Sequence, residues 1–309
     1  KMLKNTISSG VWPTMLTPFT DGGKIDKKAV ERLVNWYVDS GVSGIFAVCQ
    51  SSEMFQLSLE ERIALARETV RLSAGRVQVV ASGHISDDPA EQIEELKAIA
   101  ETGVDAVVLV SNRLALRDES DEVWIERCGA ILKAIPGVTF GVYECPYPYK
   151  RLLSEKVLKW CAQSGRINFL KDTCCDGELI ARRLKWIGES GLKLFNANTP
   201  TLLQSLRDGA SGFCGVIANI CPRLLVRLFD SYKAHPDKAE LLQSYLTVLS
   251  WVETQQYPSC AKYYLNSVGV PMESACRVNG GAPLSRYVRD EIDMLRLLNG
   301  KMEDFFLKE

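Results

Sequence analysis

Lys171 closes the run Ile167-Asn168-Phe169-Leu170, a short apolar stretch of strand character. A lysine amine shielded among apolar walls is a nucleophile, and its natural chemistry is an imine with a ketone or aldehyde. The competing reading is a lysine that leaves the strand and reaches water. Tyr143 also ends such a run, Val138 to Tyr143. A phenol there could move protons at a carbinolamine or at a carbon next to a carbonyl; otherwise it is a rim aromatic whose hydroxyl finds any acceptor. Gln50-Ser51-Ser52 follows a third run and could offer N–H and hydroxyl donors to a carboxylate, or could be an ordinary polar loop.

Other residues carry weaker signals. Glu53 could orient the Gln50–Ser52 loop or lie exposed. His84, after Ala81-Ser82-Gly83, fits a structural histidine better than a catalytic one. Lys150-Arg151 could hold a carboxylate or phosphate, or could simply be a solvated helix start. The chain contains only two histidines, His84 and His235, which disfavours zinc-protease and Ser/His/Asp chemistry. Neither G-x-G-x-x-G after a strand nor GxxxxGK[ST] occurs, so nucleotide binding has no motif support.

These positions gain meaning from the elements around them. Short β-branched apolar runs alternate with amphipathic stretches along the chain. The runs are Val11–Phe19, Gly44–Cys49, Val77–Ala81, Asp105–Val110, Val138–Tyr143, Ile167–Lys171, Leu192–Phe195 and Gly212–Ile217. Helices are expected between them, opened by Asp26, by the capping box Ser58-Leu59-Glu60-Glu61, by Asp87 or Asp88 before Pro89, by Ser120, by Ser154 and by Thr199 before Pro200. Eight strand–helix units predict a TIM (β/α)8 barrel, with a doubly wound open sheet as runner-up. The barrel is expected over 1–232. Helical runs at Asp237–Val252, Ser259–Ser267 and Leu284–Leu298 predict a helical appendix over 233–309. In such a barrel the reactive groups stand at the carboxyl ends of strands, where Lys171, Tyr143 and Gln50–Ser52 fall.

Composition bounds the rest. The chain has 309 residues, 46% hydrophobic and 24% charged, with a formal net charge of −1. That balance suits a soluble globular protein and lacks the basic excess of a nucleic-acid binder. No apolar run reaches the roughly 20 residues that span a bilayer, and Lys1–Thr6 has no apolar signal-peptide core. Ten scattered cysteines fit reduced thiols in a cytoplasmic protein. Cys174-Cys175, the one close pair, has no partner CxxC to make a zinc site, and no metal is expected.

Taken together, these pieces resemble the dihydrodipicolinate synthase / N-acetylneuraminate lyase superfamily over nearly the whole chain. The resemblance rests on Gly10 to Phe19 with its Leu-Thr-Pro-Phe ending and on Cys49-Gln50-Ser51-Ser52-Glu53 in place of Gly-[Ser/Thr]-Thr-Gly-Glu. It rests also on Tyr143-Glu144-Cys145-Pro146 in place of Tyr-Asn-x-Pro, on Leu170-Lys171-Asp172-Thr173 and on Gly212 to Asn219. It implies a class I lyase without metal or other cofactor. Lys171 would form an imine with pyruvate or another 2-keto acid and Tyr143 would relay the proton. Ser51 with the neighbouring backbone would hold the keto-acid carboxylate, and Gln50, Ser52, Thr173 and Ile217 would complete the substrate site. Arg151, Asn112 and Asn198 are candidate contacts for a second substrate, and a homotetramer or homodimer is implied.

The departures narrow the substrate. The loop after strand four, Leu109 to Arg113, lacks the tyrosine that synthases lend to a neighbouring site, and Pro148 stands where they carry an arginine. Thr173 resembles the sialic acid lyase branch, yet Thr199-Pro200 replaces that branch's acidic pair. The expectation is therefore a lyase or aldolase acting on an unassigned 2-keto acid. The alternatives are a true 4-hydroxy-tetrahydrodipicolinate synthase, an N-acetylneuraminate lyase, or a non-catalytic ligand-binding barrel.

Overall fold

The computed structural model of the protein describes residues 6–308. The signal-peptide reading rests largely on residues 1–5, which lie outside them. Strand–helix units follow one another along the chain: β1 (Gly10–Val11), α1 (Lys27–Asp39), β2 (Gly44–Phe46), α2 (Leu59–Ser73), β3 (Gln78–Ser82), α3 (Pro89–Ala100) and β4 (Ala106–Val110). The order continues with a short α4 (Ser111–Leu114), α5 (Asp121–Ala134), β5 (Phe140–Tyr143), α6 (Glu155–Gln163), β6 (Ile167–Asp172), α7 (Gly177–Ile187), β7 (Lys193–Asn196), α8 (Leu202–Arg207), β8 (Gly212–Phe213) and α9 (Pro222–Ser231). All strand pairings are parallel, in the order β1-β8-β7-β6-β5-β4-β3-β2. A parallel bridge from Thr14 to Phe46 joins the two ends. The sheet is therefore a (β/α)8 barrel and not an open doubly wound sheet.

Local chemistry sets the helix starts. The Asp26 carboxylate accepts from the Lys28 and Ala29 N–H groups, and Ser58 and Glu61 form the expected capping box. Asp88 caps α3 ahead of Pro89. Ahead of α8, Thr199 does not cap a helix but begins the 3-10 turn Thr199–Thr201, which Asn198 caps by accepting from the Thr201 N–H.

Two strands are much shorter than Val11–Phe19 and Gly212–Ile217 predict. Pro13 has no N–H and interrupts the ladder after Val11. At β8 the chain turns after Phe213 into a 3-10 turn, Val216–Asn219. The two strands meet closely: a Cβ on Gly212, whose φ is +152°, would lie 1.9 Å from the Gly10 carbonyl oxygen. Only glycine allows that approach.

The barrel is floored by aromatic rings. Phe169 stacks on Phe195 at 4.7 Å, and Trp12 meets both edge-on at 5.4 and 5.7 Å. Phe46 closes the group 6.0 Å from Phe169. Such pairs add roughly 0.5–1.5 kcal/mol each beyond their buried area. The space they need is left by Gly44, where a Cβ would fall 2.2 Å from the Trp12 ring.

Beyond the barrel come α10 (Pro236–Leu249), the 3-10 turn Ser250–Thr254, α11 (Ser259–Ser267) and α12 (Arg286–Leu307). The last helix runs nine residues past the predicted end at Leu298. Helix α10 packs on α8 and α9, and α12 packs on α9 and α11. Among the described residues, no helix is long and apolar enough to cross a membrane.

Candidate active site

Side chains alternate sides along a strand, so on β6 Phe169 and Lys171 face the barrel axis while Leu170 and Asp172 face the helices. On β5 the same alternation turns Tyr143 inward and Glu144 outward. Tyr143 and Lys171 are direct register partners. Lys171 is only 5% exposed, and its Nζ lies 4.3 Å from the centroid of the Tyr143 ring and 5.8 Å from that of Phe46. The lysine therefore ends inside the barrel, above the aromatic floor, and does not run out to water.

The outward neighbours hold the two strand ends together. The Arg183 guanidinium on α7 bonds Glu144 at 2.7 and 3.0 Å, bonds Asp172, and donates to the Leu153 carbonyl at 3.0 Å. All three charged side chains are fully buried. Burial pushes the Glu144 carboxyl up, against the pull of the Arg183 charge. Thr173 ties in as well, donating its N–H to Glu144 Oε2 at 3.1 Å and its hydroxyl to the Glu144 carbonyl at 2.7 Å.

A cavity of about 530 Å³ opens above Lys171 at the carboxyl ends of the strands. It is lined by Gln50 and Ser51 after β2, by Tyr143 on β5, by Lys171 and Thr173 at the end of β6, and by Asn198 and Gly215 after β7 and β8. The Ser51 hydroxyl donates to Thr14 Oγ1 at 3.0 Å. The Tyr143 hydroxyl faces Gln50 Oε1 at 3.4 Å. Burial, helped by the nearby Cys145 and Cys49 thiols, holds the Tyr143 phenol well above its usual range, so it stays protonated at neutral pH.

Four of the sequence-predicted positions lie outside this cavity. Ser52 is fully buried: its hydroxyl donates to the Met15 carbonyl at 2.6 Å, lies 2.9 Å from the Ala47 carbonyl and accepts from the Cys49 N–H. It stitches the loop to the β1 segment and turns away from the cavity. Ile217 points into the core, because the 3-10 turn presents Val216 to the cavity instead. The Asn112 amide lies within 2.6–2.9 Å of the Cys145, Tyr147 and Tyr149 carbonyls, and so fixes the loop after β5. The Arg151 guanidinium is taken up by the Leu116 and Glu119 carbonyls and Asp121. It does not stand in for an arginine at Pro148. Its neighbour Lys150 does line the cavity, with Nζ bonded to the Thr173 carbonyl at 2.7 Å.

The cavity also takes residues that sequence reasoning missed. Glu253, Tyr257, Pro258 and Val278, from the helical extension, form its roof. Tyr257 receives a hydrogen bond from Asn219 Nδ2 at 3.1 Å, and Asn219 in turn accepts one from Tyr37. Their signal was the polar break Glu253-Thr254-Gln255-Gln256 between two helices, ending at Pro258. The roof is clasped to the loop after β2 by a buried ion pair, Lys262 to Glu53 at 2.9 Å. Glu53 also accepts from the Arg277 and Val278 N–H groups. The reading of Glu53 as a loop-orienting residue thus has a specific partner, a lysine on α11. His84 is buried beneath the rim, its Nε2 accepting from the Val110 N–H at 2.5 Å.

A parallel barrel with a buried lysine and a phenol at adjacent strand ends defines a class: barrel enzymes with a strand-borne amine at the mouth. The chain belongs to the dihydrodipicolinate synthetase family, whose sequence model matches residues 7–294. It is similar to the 4-hydroxy-tetrahydrodipicolinate synthase of Anaplasma marginale (strain Florida), 28% identical over 301 residues covering 93% of this chain and 96% of that protein. The synthase of Methanococcus maripaludis (strain C6 / ATCC BAA-1332) is 26% identical over 267 residues, covering 85% of this chain and 89% of the relative. A prophage protein of the dihydrodipicolinic acid synthase family from E. coli K12, solved with pyruvate, superposes with a TM-score of 0.86 at 20% identity, covering 94% of this chain and 98% of that one. The chloride-inhibited dihydrodipicolinate synthase from Acinetobacter baumannii, complexed with pyruvate, gives a TM-score of 0.84 at 23% identity, covering 95% and 99%.

Proposed function

We propose that the protein is a class I lyase or aldolase in which Lys171 forms an imine with pyruvate or a closely related 2-keto acid. The observation that carries this reading is the placement of Lys171: buried, on the barrel axis, with Nζ over the Tyr143 ring and facing a cavity large enough for a small keto acid. The relatives named 4-hydroxy-tetrahydrodipicolinate synthase and the neighbours solved with pyruvate support the same substrate class.

In the first half-reaction the Lys171 amine adds to the keto carbon, and the carbinolamine oxygen must leave as water. The Tyr143 phenol, held protonated by burial, supplies that proton. Ser51, with the backbone beside it, takes the substrate carboxylate; its hydroxyl is already oriented by Thr14. The imine then serves as an electron sink for making or breaking the bond at the adjacent carbon, chemistry that needs no metal.

The second substrate differs from that of a true synthase. Among the lining residues no arginine stands ready for a second carboxylate, and Lys150 is already bonded to Thr173. Phe55 and Tyr147 pack 4.8 Å apart at the mouth. We infer a neutral aldehyde as partner rather than aspartate semialdehyde. The test is pyruvate consumption with a panel of short aldehydes beside aspartate semialdehyde, together with pyruvate release from 4-hydroxy-2-keto acids. Turnover with a neutral aldehyde or its adduct is expected. Preference for aspartate semialdehyde would return the protein to the synthases, and ligand binding without turnover of any of these would make it a binding barrel.

A further inference from the structure

We propose that Glu253, carried on the 3-10 turn Ser250–Thr254 outside the barrel, is the acid–base group that takes and returns the proton at C3 of the lysine-bound 2-keto acid. This rests on the imine reading of Lys171.

The turn holding Glu253 packs on the turn Val216–Asn219 that follows β8. It therefore stands near Val216 and lines the same cavity as Lys171, whose charge acts on it. Glu253 is the only carboxyl among the lining residues, and its side chain makes no hydrogen bond or ion pair among the described residues. The other candidates are occupied: Lys150 donates to the Thr173 carbonyl, the Cys175 thiol faces the same carbonyl at 3.4 Å, and Tyr257 is bonded to Asn219.

The chemistry needs two different proton-transfer groups. Loss of water from the carbinolamine calls for an acid, which Tyr143 is. Removing a C3 proton calls for a base, and a carboxylate in the cavity supplies one without drawing on the Tyr143 phenolate, which is needed to take a proton from water when the imine is hydrolysed. Burial pushes the Glu253 carboxyl up to about 7, opposed by the Lys171 charge, so both its forms are present near neutrality. Two groups whose environments set them to different tasks are the mark of divided acid and base roles.

The step balances. The C3–H bond breaks and its proton passes to the Glu253 carboxylate. The electron pair forms the C2=C3 bond, while the C=N π pair moves to nitrogen, giving the enamine. When the enamine attacks an aldehyde, the C–C bond forms, the carbonyl pair becomes an alkoxide, and Glu253 returns its proton there. The other titratable groups lining the cavity with Glu253 are Lys171, Lys150, Tyr143, Tyr147, Tyr257 and Cys175.

The test needs no second substrate. Exchange of the pyruvate methyl protons is followed by NMR in D₂O with the full chain, beside borohydride trapping on Lys171. In the parent, exchange should rise as pH climbs through about 7, as the carboxylate forms. Glu253→Gln should trap pyruvate as well as the parent, yet exchange about 10²–10⁴-fold more slowly and lose that limb. Glu253→Asp should recover part of the rate. A Gln variant that exchanges at the parent rate with the same pH limb overturns the inference and leaves the imine reading standing. One that loses trapping also overturns it, because the carboxyl would then act before C3. A parent that does not trap pyruvate overturns the imine reading, and this proposal with it.

Discussion

Lys171 and Tyr143 are register partners on neighbouring parallel strands, and the lysine Nζ sits 4.3 Å from the centre of the tyrosine ring. The next residue on each strand, Asp172 and Glu144, faces the opposite way onto one guanidinium, Arg183. The inward pair and the outward triad are thus two faces of one pleat. Whatever holds the triad also aims the amine and the phenol.

Arg183→Leu should therefore be costly. It leaves two carboxyls buried without a cation, a loss of about 3–5 kcal/mol. Urea unfolding checks this directly. An unchanged midpoint would mean that the triad contributes little and that Lys171 is positioned by the barrel alone.

Tyr143→Phe should behave differently. The hydroxyl makes only weak contacts within the protein, to Gln50 at 3.4 Å and to the Cys145 thiol, so stability should hardly change. Imine formation should slow by about 10²–10⁴-fold if the phenol supplies the proton. Stopped-flow trapping of a single turnover measures it. A variant as fast as the parent would remove Tyr143 from the chemistry.

Lys262→Ala should loosen the cavity roof. It strands the Glu53 carboxylate, which is 2.9 Å from the lysine and also bonded by the Arg277 and Val278 N–H groups. The expected cost is about 3–5 kcal/mol, with a rise in KM larger than any fall in kcat, because Val278 lines the cavity. Equal melting temperatures and equal KM would contradict the clasp.

His84 gives a pH signature. Burial lowers its folded-state pKa to about 3, whereas the unfolded chain titrates near 6.5. The unfolded state therefore binds the extra proton. The contribution is fully present above about pH 6.5 and is lost as pH falls toward 3, at a rate that removes roughly 2 kcal/mol between pH 6.5 and 5. His84→Gln should flatten that part of the stability curve, read from urea midpoints across the range. An identical slope in parent and variant would assign the acid sensitivity to other groups.

The barrel was legible in the sequence because its helices carry their own start signals at Asp26, Ser58 with Glu61, Asp88 with Pro89, and Ser154, and its strands are apolar runs. Strand lengths were not, because Pro13 and the Gly10–Gly212 approach end pairing that hydrophobicity alone would extend. In the cavity, Lys171, Tyr143 and Ser51 were reached from the rule that strand ends carry the chemistry. Ser52 was placed near it by the same rule, and Ile217, Asn112 and Arg151 by the family resemblance; neither says where a side chain on a tight turn points. Ser52 turns back on Met15, and Arg151 turns to the Leu116 and Glu119 carbonyls. Glu253 and Tyr257 come from outside the barrel, where no strand-end rule reaches.

The most direct measurement is borohydride trapping with pyruvate followed by peptide mass spectrometry. A stable adduct on the peptide carrying Lys171, absent from Lys171→Ala, is the predicted result. Parent protein that binds pyruvate equally well before and after Lys171→Ala, with no adduct on any lysine, would contradict the imine and with it the reading of this barrel as a class I enzyme.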